Sequence, residues 1–202
     1  MPQLISTSDT RYAAIADVAS QVGTRPEWLS RQIAFESGYD PLIKNPNSSA
    51  RGLIQLTDIA AKELGYSSSE NAIAKYPGFE LQMYGIVKPY LQSVADRFPN
   101  PTDPADPFPT EISQYMGIFL PAYRFRTVDT VLPQWVQAAN PGIRTIQNYV
   151  DLLYGKSSGR PSGRPVGSPV PMIAMAAVAA FILWKALTPR RGYVVRRAGA
   201  LI

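Results

Sequence analysis

The segment "IAFESGYDPLIKNPNSSARGLIQLT", residues 33–57, carries a single glutamate at the end of an apolar, helix-like run, followed by a turn-rich stretch and a glutamine. Leu29, Ile33 and Glu36 are spaced by four and three residues, so they share one face of a helix. Burial on this apolar face would disfavour the carboxylate and raise the pKa of Glu36, which suits a general acid at neutral pH. The same spacing leaves an alternative open, in which Glu36 pairs with an arginine at the edge of the domain.

The composition limits the chemistry that an enzyme with this sequence could use. The 202 residues include no Cys and no His. That excludes Ser-His-Asp triads, cysteine nucleophiles and histidine-bound zinc. We expect no metal site and no cofactor, so carboxyl or hydroxyl groups would have to carry any catalysis.

The charge is divided unevenly along the chain. Residues 1–155 contain 12 basic and 15 acidic residues, whereas residues 156–202 contain eight basic residues and no acidic one. The basic net charge therefore belongs to the C-terminal part, and we expect no nucleic-acid binding by residues 1–155. Basic residues beside an apolar segment more often mark a membrane surface.

Helical patterns predominate in the first three quarters of the chain, and few stretches alternate with the two-residue period of a strand. Asp9 or Thr10 is the predicted N-cap of a first helix. Thr24 is the predicted N-cap of a second helix, with Glu27 as its capping-box partner, and Gly38 ends that helix. The predicted helices cover residues 10–21, 24–38, 55–64, 79–97, a stretch that begins near 111, and 143–154.

One internal segment is predicted to be irregular. Residues 98–109, "FPNPTDPADPFP", contain too many prolines for a helix interior or a strand ladder. A helical pattern resumes directly after them. Together the patterns predict a compact, mainly α domain over residues 1–155.

Three segments of different composition follow this domain. Residues 156–169 are rich in Gly, Ser, Pro and Arg, which predicts a flexible to semi-extended linker. Residues 170–188 predict one transmembrane helix, because between 170 and 187 only Lys185 is charged. Residues 189–202 form a basic C-terminal tail. A buried core helix is the alternative for the apolar segment, but the segment has little amphipathicity and follows a linker without a partner domain.

Two motifs in this order carry a resemblance to a known family: "VASQVGTRPEWLSRQIAFESGYDP" at 18–41 and "SSARGLIQLTDIAAKELGY" at 48–66. Later stretches resemble further parts of the same pattern, namely "FELQMYGIVKPYLQSV" at 79–94, "GIFLPAYRF" at 117–125 and "IQNYVDLLY" at 146–154. The chain resembles the soluble lytic transglycosylase family, which has a goose-type-lysozyme-like fold, over residues 10 to 154 approximately. The resemblance implies a lysozyme-like, mainly α transglycosylase domain.

The resemblance also implies site residues. Glu36 would be the catalytic acid and base. Gly52 would allow the backbone to approach a sugar closely, and Gln55 would hydrogen-bond near the acid. The implied substrate-binding residues are Ser37, which would help to orient the reacting sugar, Gly52, Gln55, and the cleft-lining Tyr123 and Tyr149.

The reaction of that family needs one carboxyl group. Glu36 would protonate the glycosidic oxygen between N-acetylmuramic acid and N-acetylglucosamine in peptidoglycan glycan strands. It would then take the proton of the C6 hydroxyl, whose oxygen closes a 1,6-anhydro ring. Ordinary glycosidases require a pair of carboxyl groups. A hydrolytic, lysozyme-like activity is the alternative.

The sequence departs from the family pattern at two places. Arg124-Phe125-Arg126 stand where the family usually has Asn-Ala-Gly after an Ala-Tyr pair, and Asp58 stands where a proline often follows the Gln motif. These departures predict altered glycan binding or lower activity.

Features near the two ends of the sequence predict where in a cell or virus such a domain acts. The N-terminus shows no basic start followed by an apolar core, so no cleavable export signal is expected. With the membrane segment, this favours a phage virion component that inserts into an envelope or an internal membrane, with lipid and other virion proteins as partners. Two alternatives stay open: a non-catalytic virion or membrane protein that reuses the fold for glycan binding or anchoring, and a cellular membrane-anchored enzyme of cell-wall remodelling.

Overall fold

The computed structural model describes residues 3–156 of the 202-residue chain. The predicted transmembrane helix and basic tail, and the linker beyond Lys156, lie outside the described residues. Within the described part, no helix is both long and apolar enough to cross a membrane.

Residues 3–156 are mainly α-helical, as the sequence predicts. A π-helical turn, Met83–Val87, joins the helices Phe79–Gln82 and Lys88–Arg97, and a 3₁₀ turn, Pro121–Tyr123, follows the helix Glu111–Phe119. Extended residues pair in this part of the chain as isolated antiparallel bridges. The α-helices are α1 (Thr10–Val22), α2 (Pro26–Ser37), α3 (Asp58–Glu63), α4 (Ser69–Lys75), α5 (Phe79–Gln82), α6 (Lys88–Arg97), α7 (Glu111–Phe119), α8 (Gln134–Ala139) and α9 (Ile146–Leu153).

Helix α1 has the N-cap that the sequence predicts. The Asp9 side chain accepts a hydrogen bond of 2.9 Å from the backbone N–H of Arg11, which satisfies a free donor of the first turn. At the other end, Gly23 adopts a left-handed φ of 71°, and its N–H donates to the carbonyl of Ala19.

The predicted capping of α2 by Thr24 is wrong. Helix α2 begins at Pro26, and its N-cap is Arg25, which makes no side-chain capping bond. A residue before proline is held in an extended conformation, so Arg25, with φ −96° and ψ 136°, takes the boundary position. The Thr24 hydroxyl is one residue too early and is buried without a hydrogen-bond partner. Gly38 ends the helix, as predicted.

Other helix boundaries differ from the sequence pattern for local reasons. The helix predicted from residue 55 begins at Asp58, because Gln55 has a positive φ of 50° and the Thr57 side chain caps α3. The pattern did not predict α4 and α8. These helices have seven and six residues, which is too short for a 3.6-residue period to stand out.

Two hydrophobic clusters form the core, and α2 lies between them. The first cluster joins α1, α3, α4 and α6 and includes Leu29 and Ile33 of α2. The second joins α7, α8 and α9 and includes Phe35 of α2. Successive residues of α2 thus face different clusters, and the whole stretch 32–37 is buried. This central place buries Glu36 on more sides than a single apolar stripe would.

The proline-rich segment 98–109 contains no helix or strand, as predicted. The Asn100 side-chain amide donates a 2.8 Å hydrogen bond to the carbonyl of Asp106. Phe108 is buried in the first cluster, and the Arg124 guanidinium lies 4.3 Å from the centre of its ring. The segment is therefore a loop whose C-terminal end is fixed to the core.

Candidate active site

Glu36 lies in the last turn of α2 and is only 2% exposed. Among residues 3–156, no arginine or lysine makes a salt bridge with it; the four ion pairs found there involve other carboxylates. The alternative of a Glu36–Arg pair at the edge of the domain is therefore wrong. Burial, as the spacing predicts, sets the properties of this carboxyl group.

The Glu36 carboxyl group has one hydrogen-bond partner in the described structure. The Tyr149 hydroxyl donates to its Oε1 at 3.1 Å, while Oε2 is buried without a partner. Burial raises the pKa of Glu36 to about 8, and the Tyr149 hydrogen bond acts in the opposite direction. Glu36 is thus protonated at neutral pH and can donate a proton, which is the requirement for a general acid.

Tyr149 is held by both ring packing and hydrogen bonds. Its ring is stacked on Phe119 with a centroid distance of 4.1 Å and meets the edge of Phe35 at 6.0 Å. The Gln32 amide donates to the Tyr149 hydroxyl at 3.3 Å. Burial raises the pKa of Tyr149 well above its usual value. Tyr149 therefore stays neutral and keeps its proton for the bond to Glu36.

Gln32 and Gln114 extend this network, and sequence reasoning missed both. The Gln32 amide also donates to the carbonyl of Tyr115 at 2.9 Å, and the Gln114 amide donates to Gln32 Oε1 at 3.4 Å. The two glutamines are fully buried. Gln32 precedes Glu36 by four residues and so lies on its side of α2, a signal that the sequence contained. For Gln114, the sequence showed only a polar residue within an apolar helix.

We expect the Tyr149→Phe variant to keep the fold but to alter Glu36. The phenyl ring retains the stacking on Phe119, but Oε1 loses its donor, and a buried group left unpaired typically costs about 1–3 kcal/mol. Since the lost bond favoured the carboxylate, the pKa of Glu36 should rise further. The alkaline limb of the pH–activity profile should move to higher pH, and the midpoint of urea unfolding should fall. An unchanged alkaline limb would contradict an effect of this bond on Glu36.

Ser37 is buried beside Glu36, but its hydroxyl is already used. Its Oγ donates to the carbonyl of Ile33 at 2.9 Å, a bond within α2. The residue lines a cavity of about 670 Å³ that also borders Glu36 and Tyr39. This volume lies in the range of about 300–1,000 Å³ that is usual for ligand pockets.

Gly52 and Gln55 belong to a tight loop that ends in a bridge between Arg51 and Leu56. Gly52 has a positive φ of 70°, and a Cβ there would lie 2.5 Å from Gln82 Oε1. The fully buried Gln55 amide donates to the Gly52 carbonyl at 3.1 Å, and its Oε1 has no partner. Among the described residues, no hydrogen bond joins Gln55 to Glu36.

Gln82 holds this loop from the neighbouring helix α5, a role that the sequence did not predict. Its Oε1 accepts from the backbone N–H of Leu53 at 3.0 Å, and its amide donates to the Pro41 carbonyl at 2.5 Å. Its side chain thus connects the chain just after α2 with the Gly52 loop. The space left by the missing side chain of Gly52 is filled by Gln82 and Ile73.

The Gly52→Ala variant should be strongly destabilised. Its Cβ would meet Gln82 Oε1 and Ile73 Cδ1 at 2.5 Å in a left-handed backbone conformation. The left-handed conformation should lower the free energy of unfolding by about 1–2 kcal/mol, and overpacking should lower it by a further amount of about 1–3 kcal/mol. Urea denaturation should show this loss, and Gly38→Ala, where a Cβ has open space, isolates the left-handed strain alone. Equal losses in both variants would contradict the packing role of Gly52.

Tyr123 lies in the 3₁₀ turn after α7 and packs against the second cluster. In the described part of the chain, no hydrogen bond links it to Glu36. The following Arg124 is buried, with its guanidinium between Phe108 at 4.3 Å and Phe125 at 4.6 Å. Burial lowers the pKa of Arg124 to about 10. The structure thus brings Glu36, Ser37 and Tyr149 together and gives Arg124 a packing role.

Within residues 3–156, no group of three or more acidic side chains could hold a metal ion. Comparisons with protein-family models, with curated proteins and with solved structures found no match. Function is therefore inferred from the sequence motifs and from the geometry around Glu36.

Proposed function

We propose that this domain is a peptidoglycan lytic transglycosylase. It would cleave the β-1,4 bond between N-acetylmuramic acid and N-acetylglucosamine and leave a 1,6-anhydro product. The observation that carries the proposal is Glu36, a residue that lines a cavity and whose carboxyl group is buried and free of any ion pair among the described residues. The motif resemblance over residues 10–154 supplies the substrate class.

In the first step, protonated Glu36 gives its proton to the glycosidic oxygen as the C1–O bond of the muramic acid breaks. The 2-acetamido group of the substrate stabilises the positive charge that develops at C1. The Tyr149 hydroxyl, 3.1 Å from Oε1, donates a hydrogen bond to the carboxylate that forms. This charge-assisted bond is stronger than the neutral bond before the transfer.

In the second step, the Glu36 carboxylate takes the proton of the C6 hydroxyl of the same sugar. The C6 oxygen forms a bond to C1 and closes the 1,6-anhydro ring. Glu36 returns to its protonated state, so one residue serves both steps and no water is consumed. The raised pKa of Glu36, about 8, matches a group that must alternate between acid and base near neutral pH.

A second carboxylate near Glu36 would favour hydrolysis instead. Asp9 is the other acidic residue that lines the cavity within the described chain. Its side chain is bound by Arg11, whose Nε and Nη2 donate at 2.9 Å and 2.6 Å, and it also caps α1. The hydrogen bonds from Arg11 lower the pKa of Asp9 to about 2. A carboxylate engaged in this way is a poor base for activating water, which supports the one-carboxylate mechanism.

Mass spectrometry of the products tests the proposal. The full-length protein is incubated with purified peptidoglycan, and the soluble muropeptides are weighed. The proposed reaction releases muropeptides lighter by one water than the products of hydrolysis. Reducing-end muramic acid alone would identify a lysozyme-like hydrolase. Glycan binding without any product would identify a non-catalytic glycan-binding protein.

The proposal includes a setting for the enzyme. The apolar segment 170–187 would anchor it in a membrane, and the linker 156–169 would let the domain search the cell wall while tethered. A phage virion that carries the enzyme to breach the host wall during genome entry fits this arrangement.

The membrane anchor leads to a separate prediction. Ala177→Lys places a charge in the middle of the apolar segment, where a lysine opposes insertion by about 2.5–3.5 kcal/mol. The full-length variant should no longer float with liposomes in a density gradient. Lys185→Ala is the control and should still float, because Lys185 lies near one end of the segment, where snorkelling relieves its cost. Failure of the parent protein to float would remove the anchor from the proposal.

A further inference from the structure

We infer that the N-terminal segment, residues 3–6, forms a wall of the substrate cleft and contacts the sugar bound beside Glu36. This inference rests on the proposed function, because it assigns a second binding surface to the same site. The motif resemblance begins only at about residue 10, so it assigns no role to this segment.

Two stretches of chain provide most of the lining of the cavity beside Glu36. One stretch is the end of α2 and the residues that follow it, from Ala34 to Tyr39. The other is the run of consecutive residues Gln3, Leu4, Ile5 and Ser6, and the remaining lining residues are Asp9, Arg11 and Ile43. A ligand that fills the cavity and reaches the Glu36 carboxyl group would therefore meet the N-terminal segment.

Ile5 fixes this segment to the residue that follows α2. Its backbone N–H donates to the Tyr39 hydroxyl at 3.3 Å, and its side chain packs against the first cluster. The Tyr39 hydroxyl also shares a 2.8 Å hydrogen bond with Ser30 of α2. The segment is therefore attached to the helix that carries Glu36.

A second attachment lies at the start of α1. The backbone N–H of Asp9 donates to the Ser6 carbonyl at 3.0 Å, which closes a turn after the segment. Arg11 is paired with Asp9, and its guanidinium lies 5.5 Å from the centre of the Tyr39 ring. These hydrogen bonds at Ile5 and Ser6 hold the C-terminal half of the segment in place, which favours a wall over a lid that swings open.

Tyr39 carries backbone strain at this junction. It is a non-glycine residue with a φ of 67°, and it is 5% exposed. Such strain persists where the surroundings hold it, and it is common at ligand-binding sites. The Tyr39 ring contacts the Arg11 guanidinium and its hydroxyl accepts the Ile5 N–H, so the strained residue supports the wall.

The side chains of the segment suit a sugar. Leu4 is 40% exposed and offers an apolar surface to the C–H face of a pyranose ring. Gln3 and Ser6 are exposed and offer an amide and a hydroxyl group to sugar hydroxyls. An apolar surface with a few polar groups that fix orientation is the usual composition of a ligand pocket.

The test compares two exposed serines, one that lines the cavity and one that does not. Ser6→Trp would fill the cavity from the wall, whereas Ser8 is exposed and does not line it. Both substitutions remove the 2.9 Å hydrogen bond between the two hydroxyl groups, so Ser8→Trp controls for that loss. Ser6→Trp alone also removes the acceptor of the Ser8 backbone N–H, a bond of 3.2 Å. In the full-length protein, Ser6→Trp should raise KM for soluble glycan strands by about tenfold or more, while kcat and its pH profile stay unchanged.

A second pair of variants tests the wall even if Ser6→Trp does not fold. Leu4→Ala removes an apolar contact of the wall and should raise KM several-fold. Leu81→Ala changes another exposed leucine, which lies in α5 and does not line the cavity, and it should leave KM unchanged. Direct binding of chitotetraose by calorimetry, in a Glu36→Gln background that does not cleave, should show the same ranking of affinities.

The outcomes separate the two proposals. If the parent releases anhydro-muropeptides and all four variants match it in KM and in chitotetraose affinity, the wall is overturned and the proposed function stands. If the parent neither cleaves peptidoglycan nor binds chitotetraose, both are overturned. A fall in kcat with constant KM for Ser6→Trp would also contradict a binding wall.

Discussion

The Glu36→Gln variant should lose the release of anhydro-muropeptides while keeping its fold. Glutamine has nearly the same size and can still accept the hydrogen bond of the Tyr149 hydroxyl, but it has no proton to give. Loss of a general acid or base typically costs about 10²–10⁴ in rate, and the loss should be larger here because Glu36 would serve both steps. The measurement is the initial rate of muropeptide release from purified peptidoglycan by the full-length protein.

A matched control lies on the same helix. Glu27, in the first turn of α2, is exposed, so Glu27→Gln makes the same chemical change away from the cavity. It should retain the parent rate, and circular dichroism should show equal helix content for both variants. Clearing of peptidoglycan by Glu36→Gln at the parent rate would show that Glu36 is not the catalytic residue.

The same substitution should change how stability depends on pH. The pKa of Glu36 is about 8 in the folded protein, whereas the pKa of an unperturbed glutamate is 4.5, so between these values the folded chain binds a proton that the unfolded chain has released. The contribution of this proton to folding stability is complete below pH 4.5 and is lost as pH rises through about 8. Glu36→Gln removes this titration.

Between pH 5 and pH 9 the parent should lose on the order of 4 kcal/mol of unfolding free energy that the Glu36→Gln variant does not lose. At acid pH the variant should be slightly less stable than the parent. The amide nitrogen of the new glutamine takes the place of Glu36 Oε2, a buried position without a hydrogen-bond partner. At pH 9 the order should reverse, and the variant should be the more stable protein. Urea denaturation of both proteins at the two pH values measures the effect, and parallel stability curves would contradict the buried, protonated state of Glu36.

The opposed effects on rate and stability have one cause. Burial keeps Glu36 protonated at neutral pH, and the same burial means that its ionised form destabilises the folded protein. Tyr149 moderates this cost with the single hydrogen bond to Oε1. A residue that improves stability when it is replaced by its neutral analogue is a common sign of a functional site.

Local sequence signals predicted much of the fold. Asp9 marks the start of α1 because capping depends on neighbours within four residues. The long apolar periodicity of 79–97 predicted the helix that α5, the π turn and α6 form together. The error at Thr24 was also local, since the restriction that Pro26 places on Arg25 outweighed the preference for a threonine cap.

The sequence by itself left carboxyl or hydroxyl groups to carry any catalysis, because the chain has no cysteine or histidine, and its motifs predicted Glu36 as the acid. Only the tertiary structure decided the partners of Glu36. The contact with Tyr149 spans 113 residues of chain, and Gln114 reaches Gln32 across 82. Such contacts arise because two hydrophobic clusters close on opposite sides of α2, and this closure depends on the packing of whole helices. Residue spacing along one helix specifies which side chains share a face, but it carries no information about what packs against that face.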